Sequence, residues 1–240
     1  MPGKSNIETL RDWVAQSSNI VFFGGAGVST ESGIPDFRST SGIYNQEWAY
    51  PPETILSHTF FKRNPEEYYR FHRAKLVVDS ARPNRAHNRL AELEAEGKLK
   101  AVITQNIDGL HQLAGSKEVL ELHGSILRAY CSECGKPYSA DKMNHGSGLP
   151  RCSCGGIVRP DIVLYEEPLD DDVLSRAIRY IRASDVMIIG GTSLNVYPAA
   201  GLINYYRGNK LVLVNRSETP YDSYANLVIH DNIGDVFSQI

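Results

Sequence analysis

Asn19-Ile-Val-Phe-Phe23, followed by Gly24-Gly-Ala-Gly-Val-Ser-Thr-Glu-Ser-Gly-Ile-Pro-Asp-Phe-Arg38, decides how this chain folds. A short β-branched and aromatic run ending in small residues reads as a buried strand feeding a tight glycine turn. Such a turn lets backbone N–H groups approach a pyrophosphate without side-chain obstruction. Gly25-x-Gly27 supplies two positions of the dinucleotide fingerprint, but Thr30 stands where its third glycine belongs. The stretch then runs on into Pro35-Asp36-Phe37-Arg38, which a plain dinucleotide turn does not need.

Three further runs match the first: Ala101–Thr104, Val186–Ile189 and Leu211–Val214. Each is short, rich in Val or Ile, and reads as a buried parallel strand. Helical patterns lie between them, at Ile7–Gln16, Ala86–Glu96 and Leu174–Arg182, each with apolar residues on one face. This alternation predicts an α/β fold with a doubly wound, mostly parallel Rossmann-like sheet. Two stretches break the pattern. Ser39–Ser80 is long, aromatic and proline-bearing, and reads as a loop with short helices such as Pro65–Lys75. Arg128–Arg159 holds all four cysteines among Gly, Ser and Pro, and is too polar to build a core alone. The expected division is a Rossmann-like dinucleotide-binding domain from 1–38, 81–125 and 160–240, a loop and helical insertion at 39–80, and a small cysteine-bearing module at 126–159.

The 240 residues suit one large domain, or one with a modest insertion. Apolar residues make up 42% and charged residues 22%, as in ordinary globular proteins. A net charge of −3 gives no sign of a nucleic-acid scaffold or a membrane-surface binder, so neither partner is expected. Met1-Pro-Gly-Lys-Ser-Asn-Ile-Glu8 lacks an apolar signal core. Apolar runs reach only about six residues, against the ~20 that span a bilayer. A cytoplasmic location is therefore the default expectation, with reduced cysteines that favour metal over disulfides.

Cys131-x-x-Cys134 and Cys152-x-Cys154 are separated by 17 residues. Two close thiol pairs across such a gap fit a tetrahedral four-cysteine zinc site. Four thiolates leave no coordination position for water or substrate, so the zinc is expected to be structural.

In an open α/β sheet, ligands gather beyond the carboxyl ends of the strands. Gln105-Asn-Ile-Asp-Gly-Leu-His111, Gly191-Thr-Ser193 and Asn215-Arg216 occupy those positions. Thr192 and Ser193 offer hydroxyls for phosphate or ribose oxygens, or simply cap a turn. An amide and a carboxylate at one strand end can bind a carboxamide and sugar hydroxyls. A side-chain-capped turn accounts for any one of these residues, but poorly for all of them. His123 follows the alternating run Glu118–Leu122 and has the chemistry of a base near neutral pH. Composition does not separate it from the other six histidines.

Taken in order, Gly25–Arg38, Thr104–His111, Leu122-His-Gly124, the four-cysteine module, Gly191–Ser193 and Val214-Asn215 resemble the sirtuin family, in its bacterial type. The resemblance covers nearly the whole chain. It implies an NAD-dependent protein-lysine deacetylase that consumes NAD, releases nicotinamide and O-acetyl-ADP-ribose, and acts on acetylated-lysine proteins or peptides. It assigns His123 as the base, with Asn106 beside it in catalysis. It places Ala26, Gly27, Thr30, Phe37 and Arg38 on NAD, and Asn106, Ile107 and Asp108 in a nicotinamide pocket. Gln105 is given to the nearby ribose, Thr192, Ser193 and Asn215 to the phosphate and adenosine side, and Asp231–Ile233 to adenine. Asp161–Glu167 resembles the family's peptide-binding strand, with Val163 as the single likeliest substrate contact. One subgroup of the family uses Tyr-x-x-Arg to hold acidic acyl groups. Here Tyr69 aligns with the tyrosine but His72 takes the arginine's place, which implies deacetylation in preference to desuccinylation.

Three other readings compete. An NAD-dependent oxidoreductase is disfavoured by the incomplete glycine fingerprint and by the lack of an acidic ribose residue after the second strand. A mono-ADP-ribosyltransferase on the same scaffold is disfavoured by His123 and the peptide strand. A zinc-dependent nucleic-acid module finds no convincing basic face among Arg128, Lys136, Lys142 and Arg151, set against Glu133 and Asp141.

Overall fold

The computed structural model describes residues 4–40 and 42–240. The first three residues of the expected nucleotide domain, and Ser41 within the 39–80 insertion, lie outside the described residues. Among these residues the strands are β1 (Ile20–Gly24), β2 (Leu99–Thr104), β3 (Val119–Glu121), β4 (Gly124–Cys131), β5 (Pro137–Ser139), β6 (Val158–Ile162), β7 (Val186–Gly190), β8 (Leu211–Val214) and β9 (Leu227–Ile229). They form a six-stranded sheet ordered β3-β2-β1-β7-β8-β9 and a three-stranded sheet ordered β5-β4-β6. Every pairing in the large sheet is parallel.

The four runs picked out by sequence are the four central strands of the large sheet, and Glu118–Leu122 contains the edge strand β3. The opposite edge, β9, has only three residues and too short a pattern to read. Counted within the sheet, the order is that of the doubly wound nucleotide-binding fold, reversing between β1 and β7. Successive side chains of a strand point to opposite faces, which explains why β1 is apolar throughout. Ile20 and Phe22 pack on one face with Leu10, Val14, Leu90, Leu93 and Phe237. Val21 and Phe23 pack on the other with Ala177, Ile181, Leu202 and Ile203.

Helices Asn6–Gln16, Arg85–Ala95 and Asp171–Ala183 supply much of that cover. Each starts at a residue suited to the task. Ser5 and Glu8 form a reciprocal capping box, Asn84 accepts from the Ala86 N–H at 2.9 Å, and Asp170 accepts from Val173 at 2.9 Å.

The small antiparallel sheet carries the cysteines, and its core is shared with the 39–80 segment. Ile55, Phe61, Tyr68, Tyr69 and Phe71 pack with Ile126, Ala129, Met143, Val158 and Ile162. The module that is too polar to build a core by itself borrows an aromatic wall. Pro65–Phe71 is the expected helix, but it continues into a π-turn at His72–Leu76.

The chain crosses between the two layers at two places. Leu122 and His123 link β3 to β4, and Val163 follows β6 with its N–H donating to the His123 carbonyl at 3.0 Å. Gly124 has φ +73, and a Cβ there would lie 2.0 Å from the Asp161 carbonyl oxygen, so the crossing demands glycine. Asp161–Glu167, read as one strand from sequence, is only partly so. Pairing with β4 ends at Ile162, Tyr165 makes a single bridge to Ser57, and Glu166 turns away at φ +75. No helix of the described residues is long and apolar enough to cross a membrane.

Candidate active site

A cavity of about 690 Å³ opens at the carboxyl ends of β1, β2, β7 and β8, where the strand order reverses, and extends to the seam with the small sheet. The glycine turn after β1 forms one wall. Its Gly27 N–H donates to the Gly191 carbonyl at 2.8 Å. A Cβ on Gly27 would lie 2.8 Å from the Gly191 Cα, and one on Gly191, at φ +57, would lie 2.3 Å from the Val28 nitrogen. The two loops therefore meet backbone to backbone, and this packing itself needs glycine at both positions. Thr30, in the place of the third fingerprint glycine, donates its hydroxyl to the Gly27 carbonyl at 3.0 Å and ties the turn together.

The loop after β2 supplies a polar cluster. Asp108 accepts from the Ser29 hydroxyl at 2.7 Å and from the Leu110 N–H at 2.9 Å. Asn106 donates its amide to the same Ser29 oxygen at 3.1 Å. Burial pushes the Asp108 carboxyl above its usual range, and the two donated hydrogen bonds oppose that shift. Gln105 donates to the Thr192 hydroxyl at 3.1 Å, joining the ends of β2 and β7.

His123 faces this cluster from the crossing between layers. Its Nδ1 lies 3.0 Å from the Gln105 carbonyl oxygen. A carbonyl can only accept, so Nδ1 carries the proton and Nε2 is left as the basic nitrogen of the neutral ring. Burial lowers the imidazole pKa, and the bond to Gln105 partly offsets it. The ring is thus held neutral, in the tautomer a base requires.

Every catalytic, NAD-binding and peptide-contact residue assigned from the sequence lines this one cavity. Ala26, Gly27, Thr30, Phe37 and Arg38 come from the first loop, Gln105, Asn106, Ile107 and Asp108 from the second, and His123 and Val163 from the crossings. Thr192, Ser193, Asn215 and Ile233 complete the lining. Tyr69 and His72 are not brought to it. Tyr69 is buried and donates to the Val158 carbonyl, while His72 bonds Asn144 at 2.9 Å in the second core. The sequence reading passed over Ser29, although it lies inside the opening loop. It also passed over Tyr44 and Tyr165, which line the cavity from segments far apart in the chain and carry no local signal.

The sulfurs of Cys131, Cys134, Cys152 and Cys154 lie within 4.8 Å of one another, with separations of 3.5 Å for Cys131–Cys154 and Cys134–Cys154 and 3.7 Å for Cys134–Cys152. Zinc–sulfur bonds of about 2.3 Å place tetrahedral sulfurs about 3.8 Å apart, so the tetrad fits one zinc and is too open for disulfides. The Glu133 N–H reaches the Cys131 sulfur at 3.4 Å and the Tyr138 hydroxyl reaches the Cys152 sulfur at 3.0 Å, donors of the kind that stabilise thiolate ligands.

Comparison with known proteins meets the same geometry. A family model described as the Sir2 family matches residues 25–198. The chain belongs to the Sir2 family. Among its relatives, an NAD-dependent protein deacetylase of Clostridium perfringens is 58% identical over 238 residues, covering 98% of each chain. One of Clostridium acetobutylicum is 56% identical, covering 98% of this chain and 97% of that one. A Sir2 variant solved with a deacetylated p53 peptide and 3'-O-acetyl-ADP-ribose is 40% identical, with a TM-score of 0.90 over 97% of this chain and 96% of that one. Sir2 solved with a p53 peptide and NAD is 42% identical, with a TM-score of 0.87 and the same coverage. Over this shared fold the chain carries a Rossmann-like parallel sheet, a small second sheet and a cysteine cluster suited to zinc.

Proposed function

We infer that this chain is an NAD-dependent protein-lysine deacetylase, and that its cavity residues divide the work as follows. NAD is the co-substrate, and zinc holds the small sheet in place without entering the reaction. The observation that carries the residue roles is the position of His123, whose free Nε2 belongs to a ring fixed at Nδ1 by the Gln105 carbonyl.

The glycine turn, Phe37 and Arg38 hold the pyrophosphate and ribose of NAD, and Thr192, Ser193, Asn215 and Ile233 hold its phosphate and adenosine side. Asn106, Ile107 and Asp108 take the nicotinamide carboxamide. Asp108 is already oriented by Ser29 and the Leu110 N–H, so little rearrangement is needed to hold the ring for departure. The acetyl-lysine carbonyl oxygen attacks the ribose carbon that bears nicotinamide, and nicotinamide leaves with the bonding electrons. His123 Nε2 then accepts the proton of a ribose hydroxyl, which attacks the former acetyl carbon. The lysine amine departs with a proton, and water adds to the acetyl-bridged ribose cation that remains, so that the acetyl group stays on ADP-ribose as an ester.

The acetylated peptide lies along the cavity mouth beside Val163, close to the edge strand β6, where backbone pairing contributes affinity. Acetyl is preferred to succinyl because the Tyr69 and His72 positions are buried in the second core. Burial also lowers the His72 imidazole pKa to about 4, so it offers no cation at neutral pH. A faster rate on a succinyl peptide than on the matching acetyl peptide overturns that preference. We also propose the division into a nucleotide-binding domain, a 39–80 insertion and a 126–159 zinc module, and a cytoplasmic location without nucleic-acid partners.

Mass spectrometry of an acetyl-lysine peptide incubated with and without NAD tests the activity. The expected products are the free-lysine peptide, nicotinamide and O-acetyl-ADP-ribose, in equal amounts and only with NAD. Undiminished turnover by the H123A variant would refute the assignment of the base.

A further inference from the structure

Two residues read as NAD contacts, Phe37 and Arg38, rest on a single tyrosine. The Ile43 and Tyr44 N–H groups donate to the carbonyls of Asp36 and Phe37 at 2.8 Å and 2.9 Å, folding this loop back on itself. The Phe37 ring then meets Tyr44 edge-on at 5.5 Å between centroids, and the Arg38 guanidinium lies 5.1 Å from the same ring centre. The Tyr44 hydroxyl leaves this loop and meets the Tyr165 hydroxyl at 2.6 Å.

Tyr165 is anchored on the other side of the cavity. Its N–H donates to the Leu56 carbonyl at 2.9 Å, and its carbonyl accepts from the His58 N–H at 3.0 Å. The following turn is held as well, because the Glu166 carboxylate accepts from the Thr59 N–H and hydroxyl. Tyr165 stands two residues after Val163, and both line the cavity. A peptide laid against Val163 therefore touches the same short segment that holds Tyr44. Among the described residues, this hydroxyl pair joins the peptide side of the cavity directly to the ring that supports Phe37 and Arg38.

We propose that the Tyr44–Tyr165 pair is a positioning link that carries occupancy of the peptide site to the NAD site. The proposal rests on the deacetylase reading above. Peptide binding fixes the Val163–Tyr165 segment, Tyr165 fixes Tyr44, and Tyr44 sets Phe37 and Arg38 against NAD. The coupling is reciprocal, so NAD tightens peptide binding by the same factor.

The test measures binding of a carbocyclic NAD analogue, which cannot release nicotinamide, with and without an acetyl-lysine peptide. Wild type, Y165F, Y44F and the double variant are titrated calorimetrically, and turnover of authentic NAD by wild type is followed in parallel. In wild type the peptide is expected to tighten analogue binding by about 5- to 10-fold, within the ordinary range of coupling between sites. In Y165F this ratio is expected to fall below about 2-fold, while peptide-free affinity and the melting midpoint stay near wild type. Such a pattern is not produced by a general loss of structure. Y44F should behave alike, and the double variant should match either single one because all remove the same hydrogen bond. A wild-type ratio of one, an unchanged ratio in Y165F, or losses that add in the double variant overturn the link. If turnover is intact when this happens, the deacetylase reading survives. If wild type neither binds the analogue nor turns over NAD, both fall together.

Discussion

In the large sheet all five residues of β1 and all five of β7 are buried, whereas β5 of the small sheet has no buried residue and β4 buries four of its eight. The large sheet is covered on both faces by apolar side chains. The small sheet has three strands, two of them of five residues or fewer, and it shares its core with the 39–80 segment. Its ties are chemical: the four thiolates, and Arg159 paired with both carboxylate oxygens of Glu167 at 2.6 Å and 2.9 Å. The active cavity lies on the seam between them. One side of the site therefore inherits the rigidity of a hydrophobic core, and the other depends on a metal and an ion pair.

Removing the metal should break this comparison most completely. Structural zinc supplies on the order of 10 kcal/mol in small zinc-binding peptides, comparable to the whole stability of many domains. Chelation, or C152S, should abolish deacetylation and speed amide exchange in β4 and β6, while β1 and β7 stay protected. Hydrogen-exchange mass spectrometry reads this directly, and equal loss in both sheets would show one cooperative unit instead of two.

Next in size is R159L. Arg159 is buried, and the arginine, His58 and the Leu164 N–H together overcome the effect of burial and hold the Glu167 pKa near 2. Losing one partner of such a pair costs about 3–5 kcal/mol, because the other charge is left uncompensated. Denaturant melts should show this cost, with the peptide KM rising more than the NAD KM.

Acid should weaken both regions. Burial lowers the imidazole pKa to about 4 for His72 in the small core and for His87 in the large one, and to about 3 for His111 beside His87. An unfolded histidine titrates near pH 6.5. The native state refuses protons that the unfolded state accepts, so stability is full above pH 6.5 and falls towards pH 4. Each histidine should account for up to about 2 kcal/mol between pH 6.5 and 5. The H72N and H87N variants, melted across that range, would divide the loss between the two cores. A flat stability profile from pH 6.5 to 5 would contradict the burial argument.

The most local effect is expected from G27A. Its methyl group meets the Gly191 backbone, and a relaxation of this kind costs about 1–3 kcal/mol. The variant should raise the NAD KM and leave amide exchange in the small sheet unchanged.

These contrasts track what could be read in advance. Ile20–Phe23 and Val186–Ile189 were legible because a strand buried on both faces is apolar at every position. The cysteines were legible because metal geometry constrains ligand spacing. β9 was not, since Leu227-Val-Ile229 stands without the flanking alternation that marked β3. The Asp161–Glu167 strand was overextended because no residue before Glu166 announces the turn. Tyr69 aligned with the tyrosine of a motif whose arginine place His72 fills, yet the second core buries them both, and spacing says nothing about which side of a helix meets the cavity.

By itself the sequence determined the strand-and-turn units, the metal ligands and the residue types gathered at the strand ends. These depend on local periodicity, on donor chemistry and on a resemblance spread along the chain. Only the tertiary structure decided that Gly27 packs against Gly191, that the Gln105 carbonyl selects the tautomer of His123, and that Tyr44 meets Tyr165. Each of these joins residues distant in the chain. Such contacts are set by how two layers close on one another, and no local pattern encodes that closure.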